Sequence, residues 1–133
     1  MPRMILYTDG AARGNPGPAA MGIVLTDARG NVLQELGETI GDATNNVAEY
    51  RALLRGVALA AARHADEIEI RTDSELMARQ LSGAYRVKAA NLKPLHEQAQ
   101  RALAQFPRVS IHHIPREQNR RADALANAAL DKG

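Results

Sequence analysis

Two aspartates in this chain stand where a run of strand-forming residues gives way to a turn or a helix start. Asp9 follows Met4-Ile5-Leu6-Tyr7-Thr8 and precedes Gly10; Asp73 follows the alternating run Glu67–Arg71 and precedes Ser74. Two further acids sit in helix-like patterns, Glu49 after Thr44-Asn45-Asn46-Val47-Ala48 and Asp123 within Asn119-Arg120-Arg121-Ala122-Asp123-Ala124-Leu125-Ala126. Carboxylates gathered in one cleft repel one another unless a hard cation neutralises them, and Mg²⁺ prefers oxygen ligands. Each acid also has a plain structural reading. Asp9 can open an Asp-Gly turn. Asn46-x-x-Glu49 has the form of a capping box. Asp73 can cap the short helix after it, and Asp123 can be a solvated helix position beside Arg120 and Arg121.

The elements that would carry these residues follow from periodicity. Strands are expected at residues 4–8, 20–26 and 31–40, the first pair separated by the breaker cluster Gly14-Asn15-Pro16-Gly17-Pro18 and the second by Asp27-Ala28-Arg29-Gly30. Three strands in succession suggest an antiparallel meander. From Asn46 to about His64 the pattern turns helical, with Val47, Tyr50, Leu53, Leu54, Val57, Leu59 and Ala61 on a broad apolar face. A strand over 67–71, a short helix through Leu81, a helix over 91–106, a strand over 108–114 and an alanine-rich helix opened by Asn119 complete the order β-β-β-α-β-α-α-β-α. The fold class is α/β, a mixed sheet flanked by helices, with residues 1–133 reading as a single domain.

Composition narrows the chemistry. At 133 residues and 45% hydrophobic content the chain can bury one core. It has no cysteine, which excludes disulfides, thiolate zinc sites and a cysteine nucleophile, so any metal must be held by oxygen or imidazole. A formal charge of +2 is compatible with a phosphate-bearing partner without demanding one. Aromatics are only 3% of residues, which argues against gripping single strands through stacked rings. No stretch approaches the roughly 18 apolar residues of a membrane span, and Met1-Pro2-Arg3 leads directly into strand-like sequence instead of a signal peptide. A soluble, cytoplasmic monomer is the expectation.

Taken together, Thr8-Asp9-Gly10 with Gly14-Asn15-Pro16-Gly17, Thr44 through Glu49, Thr72-Asp73-Ser74 and Asn119 through Ala126 closely resemble type 1 ribonuclease H, in order, in spacing and along essentially the whole chain. The resemblance implies the ribonuclease H-like fold, a five-stranded mixed sheet with three antiparallel strands followed by two parallel ones, in which the ends of the first and fourth strands lie side by side. It also implies a site of Asp9, Glu49, Asp73 and Asp123 holding two Mg²⁺ ions, with Mn²⁺ a substitute. The implied reaction is hydrolysis of the RNA strand of an RNA–DNA hybrid by a two-metal mechanism, leaving 5′-phosphate and 3′-hydroxyl ends. Gly10 and Gly14 let backbone approach the RNA strand, Asn15, Asn45 and Asn46 match family positions near the nucleic acid, and Thr44 matches a contact to a DNA phosphate. Arg86, Lys88 and Lys93 are candidates for meeting the DNA backbone.

The sequence departs from many bacterial members in two places. They carry a histidine in a glycine-rich loop before the last helix; here that stretch is Pro115-Arg116-Glu117-Gln118-Asn119, which resembles a shorter, archaeal-like variant. Arg116 is the candidate replacement. A guanidinium cannot serve as a base near neutral pH but can bind the cleaved phosphate or stabilise developing charge. His112 and His113 lie in the preceding strand as alternatives. The segment from Leu81 to Asn91 is also too short for the tryptophan-containing basic protrusion of some relatives. These departures keep open a hybrid-binding module without turnover. The fold alone leaves open another nuclease, such as a resolvase or transposase core.

Overall fold

The computed structural model describes residues 2–132. Strands β1 (Arg3–Ala12), β2 (Gly17–Asp27) and β3 (Val32–Ala43) form the meander, followed by α1 (Asn45–Ala62), β4 (Glu67–Thr72), α2 (Glu75–Leu81), α3 (Lys93–Leu103), β5 (Arg108–His113) and α4 (Arg120–Lys132). A short 3₁₀ turn, Arg116–Gln118, leads into α4. The five strands lie in the order β3-β2-β1-β4-β5. The β1–β2 and β2–β3 pairs are antiparallel, and the β1–β4 and β4–β5 pairs are parallel. This is the mixed sheet expected from sequence. Among the described residues no helix is long and apolar enough to cross a membrane.

Alternation along the strands explains the layering. Leu6, Ile23, Leu25, Ile68 and Ile70 are sealed from solvent and pack with Tyr50, Leu53 and Val57 of α1 and Met77 of α2. On the opposite face α4 crosses β1, β2 and β3, seating Ala126 and Leu130 against Ala20. That approach is close: a Cβ on Gly22 would overlap the Ala122 carbonyl, so glycine is what lets α4 rest on the sheet.

Element ends differ from the periodicity reading where pairing is non-local. β1 does not stop at Thr8 but runs through Asp9 and Gly10 to Ala12, because β2 pairs with it that far, Asp9 opposite Gly22 and Ala12 opposite Ala19. Asp9 is therefore neither the last residue of its strand nor part of an Asp-Gly turn. β2 begins earlier than expected, and β3 continues to Ala43. α3 is shorter than the expected 91–106.

The helix starts also correct two readings. Thr44 caps α1, its Oγ1 accepting from the Val47 N–H at 3.2 Å, so no Asn46–Glu49 capping box forms. Ser74 caps α2, accepting from the Met77 N–H at 3.2 Å, so Asp73 is not the cap. Both acids are released from a purely local role.

Candidate active site

The last parallel pair between β1 and β4 is Thr8 opposite Thr72. Asp9 is the next residue of β1 and Asp73 the first residue beyond β4, so the ladder that holds their predecessors in register brings the two together. Glu49 comes from the second turn of α1. Its arrival depends on Gly10, where a Cβ would overlap the Ala48 carbonyl carbon and the Glu49 nitrogen. With that space empty, α1 lies against β1 and the Gly10 N–H donates to Glu49 Oε1 at 2.7 Å. Asp9, Glu49 and Asp73 each offer a carboxylate oxygen within 4.8 Å of the others. Asp123, in the first turn of α4, lines the same cleft, and its charge bears on Asp9.

These acids lie in a cleft of about 560 Å³ lined by Asp9, Gly10, Ala11, Ala12, Asn45, Glu49, Asp73, Ser74, Arg116, Asp123 and Asn127. Asp9 is only 5% exposed. Burial, then the charges of Asp73 and Asp123, push its carboxyl up to about 8. Burial and the neighbouring Asp9 likewise hold Glu49 well above the usual carboxylate range. The Arg116 guanidinium pulls both in the opposite direction. Carboxylates this reluctant to ionise together form a site that a hard divalent cation would relieve, and the donor set is oxygen throughout, as Mg²⁺ or Mn²⁺ requires.

The other expected residues divide. Arg116 lines the cleft from the 3₁₀ turn. His112 and His113 are exposed on β5 and are not among the lining residues; His112 instead lies near Glu69. Asn45 is in the cleft, and Asn15 is coupled to it. Asn15 Oδ1 accepts from the Asn45 backbone N–H and Asn45 Oδ1 from the Ala12 N–H, both at 3.0 Å. Gly14, at φ +97°, belongs to the loop that carries Asn15. Thr44 and Asn46 are not among the lining residues, and the Thr44 hydroxyl caps α1. Arg86 and Lys93 line a separate groove between α2 and α3 with Tyr85 and His96, without Lys88.

Two asparagines carry more than the motif reading gave them. Asn119 is 1% exposed, and its Nδ2 donates to the Thr8 carbonyl at 2.9 Å, pinning the start of α4 to β1 one residue before Asp9. Asn127 was not expected at all. The only signal for it is its position four residues after Asp123, on the same helix face.

Comparison with known proteins agrees with this geometry. The Reverse transcriptase-like family model matches residues 7–129. Ribonuclease HI of Halobacterium salinarum is 50% identical over 129 residues, covering 97% of this chain and 65% of the relative. Its crystal structure superposes with a TM-score of 0.96 over 98% of this chain and 99% of that one. The bifunctional protein Rv2228c of Mycobacterium tuberculosis is 44% identical over 97% of this chain, which spans 36% of that protein's length. LC11-RNase H1, solved in complex with RNA/DNA hybrid, is 47% identical with a TM-score of 0.91, covering 97% of each chain. In sequence, sheet order and helix placement, the chain belongs to the type 1 ribonuclease H family.

Proposed function

We propose that this protein is a metal-dependent endoribonuclease that hydrolyses the RNA strand of RNA–DNA hybrids, leaving 5′-phosphate and 3′-hydroxyl ends. The observation that carries the reading is the convergence of Asp9, Glu49 and Asp73 within 4.8 Å, with Asp123 lining the same cleft. The family is metal dependent, and these four residues would hold two Mg²⁺ ions, with Mn²⁺ as a substitute. Bound cations supply activation of water and neutralisation of the leaving oxygen. The rest of the work falls to the chain. Asp9, between Asp73 and Asp123, offers the shared carboxylate. The Gly10 N–H holds one oxygen of Glu49 and fixes its rotamer. Arg116 places a permanent positive charge on the cleft wall, suited to the cleaved phosphate and unable to act as a base.

Hybrid reading is supported by the Asn15–Asn45 pair. Both side-chain oxygens are committed to backbone N–H groups, and among the described residues neither Nδ2 donates to the protein. Each asparagine thus keeps both Nδ2 hydrogens to donate. The shallow minor groove of an A-like helix displays acceptors, namely purine N3, pyrimidine O2 and the 2′-hydroxyl oxygen. Gly10, Gly14 and Asn46 would add backbone or side-chain contacts to the hybrid, and Thr44, whose oxygen accepts from the Val47 N–H, retains its hydroxyl proton for a DNA phosphate. The reading further takes residues 1–133 as one ribonuclease H domain, working as a cytoplasmic monomer.

The test is cleavage of end-labelled RNA–DNA hybrid, duplex DNA and four-way junction in Mg²⁺ and in Mn²⁺. The expected result is internal cuts in the RNA strand of the hybrid alone, abolished by Asp9→Asn and Asp73→Asn in folded protein. Wild-type protein that binds hybrid without cutting it, or that cuts junctions or duplex DNA instead, would replace this reading with one of the two alternatives.

A further inference from the structure

Asp9 and Asp73 are fixed by a strand ladder and Glu49 by the Gly10 N–H. Asp123 has a different support. The helix that carries it is braced at both ends. Asn119 pins its start to the Thr8 carbonyl. Arg13 reaches the Asn127 carbonyl at 3.5 Å and the Asp131 carboxylate at 2.5 Å near its end. The remaining freedom is rotation of the Asp123 side chain, and one residue takes it up. Asn127 Nδ2 donates to Asp123 Oδ1 at 3.2 Å and to the Asp123 backbone carbonyl at 3.0 Å. An amide nitrogen carries two hydrogens, so both are committed to residue 123.

We propose, building on the ribonuclease H reading above, that Asn127 is a positioning residue for Asp123: it holds Oδ1 in a fixed rotamer and leaves Oδ2 for the cation. The residue type suits the task. A neutral amide donates to the carboxylate without adding a cation that would compete with the metal. A fifth carboxylate at this place would add repulsion to a site where burial and like charge already oppose ionisation. Groups that orient a metal ligand through a hydrogen bond commonly account for about 10–100-fold in metal affinity or activity.

The test combines calorimetric Mn²⁺ titration of the protein without nucleic acid and the Mn²⁺ concentration giving half-maximal hybrid cleavage. Both are read in wild type, Asn127→Ala, Asn127→Gln, Asp123→Asn and the double variant Asp123→Asn/Asn127→Ala. Alanine is the better helix former, so Asn127→Ala keeps α4 intact and a loss cannot be blamed on helix propensity. The expected result is weakening by about tenfold or more in Asn127→Ala. Asn127→Gln should fall between Asn127→Ala and wild type, and Asn127→Ala should add nothing in the Asp123→Asn background. The proposal is overturned if Asn127→Ala shifts neither quantity, or if its shift persists without the Asp123 carboxylate. Should wild-type protein fail to cleave hybrid, the catalytic reading falls while the calorimetric series still decides the role of Asn127.

Discussion

Replacing Asp9 with asparagine removes a proposed metal ligand and, in metal-free protein, should make the fold more stable. An unfolded aspartate ionises near 3.8, whereas the folded Asp9 holds its proton to about 8. Below pH 3.8 both states are protonated and the group is neutral toward folding. Between pH 4 and 8 the unfolded chain has released its proton and the native state has not. The native state therefore binds more protons, and stability falls as pH rises across that window. At roughly 1.4 kcal/mol per pH unit the full difference corresponds to about 6 kcal/mol. Part of it is the cost of burying any polar group, which an amide also bears, and part is shared with Asp73 and Asp123, so a net gain of about 2–3 kcal/mol is expected for Asp9→Asn at pH 8.

Urea unfolding monitored by circular dichroism, in EDTA and in saturating Mg²⁺, measures this directly. In EDTA the variant should exceed wild type at pH 8, and the gap should close toward pH 4. In Mg²⁺ the wild type should recover, because a cation that binds only the native cluster stabilises it by mass action. Asp9→Asn should gain far less. A variant less stable than wild type at pH 8 in EDTA, or a difference that does not change with pH, would refute the claim that Asp9 is held against like charge in a buried site.

Three further outcomes follow from the same geometry. Gly10→Ala should lower stability by about 3 kcal/mol, as overpacking against backbone does, and should also abolish cleavage by moving Glu49; chemical denaturation and hybrid cleavage read the two effects. Arg116→Ala should lower kcat on hybrid about a hundredfold, as loss of a charge stabiliser does, with partial recovery in Arg116→Lys and a pH profile displaced upward in the alanine variant, since the guanidinium lowers both Asp9 and Glu49. Thr44→Ala should cost about 1 kcal/mol from loss of the helix cap, read by urea unfolding, while the Mg²⁺ dependence of cleavage stays as in wild type.

How far the sequence revealed this site can be traced residue by residue. Sheet class, element order and the placement of Asp73 beyond β4 were legible because they rest on local alternation and on turn-forming neighbours. Strand ends failed where a partner strand decides them: Pro18 reads as a breaker yet pairs with Asp42, and Gly41 and Asp42 extend β3 under the same pairing. The capping register failed because Thr44, Asn45 and Asn46 can all cap a helix. What selects Thr44 is that Asn45 spends its side chain on the Ala12 N–H, 33 residues away in sequence. Asn127 was invisible because a lone polar residue in an alanine-rich helix has no meaning until its neighbour has one.

Gly10 shows how a correct feature can carry the wrong inference. In the sequence an Asp-Gly pair after five strand-forming residues reads as a turn, since glycine's backbone freedom is its commonest use. In the structure Gly10 is extended and paired opposite Met21, so that freedom is not what it supplies. What it supplies is the absence of a Cβ where α1 crosses, which brings Glu49 to within reach of Asp9 and turns the Gly10 N–H into its hydrogen-bond donor. The acidic cluster thus depends on a neutral residue that contributes no side chain to it. A search for candidate ligands alone would find the carboxylates and overlook the position that brings the one on α1 to the two on the strands.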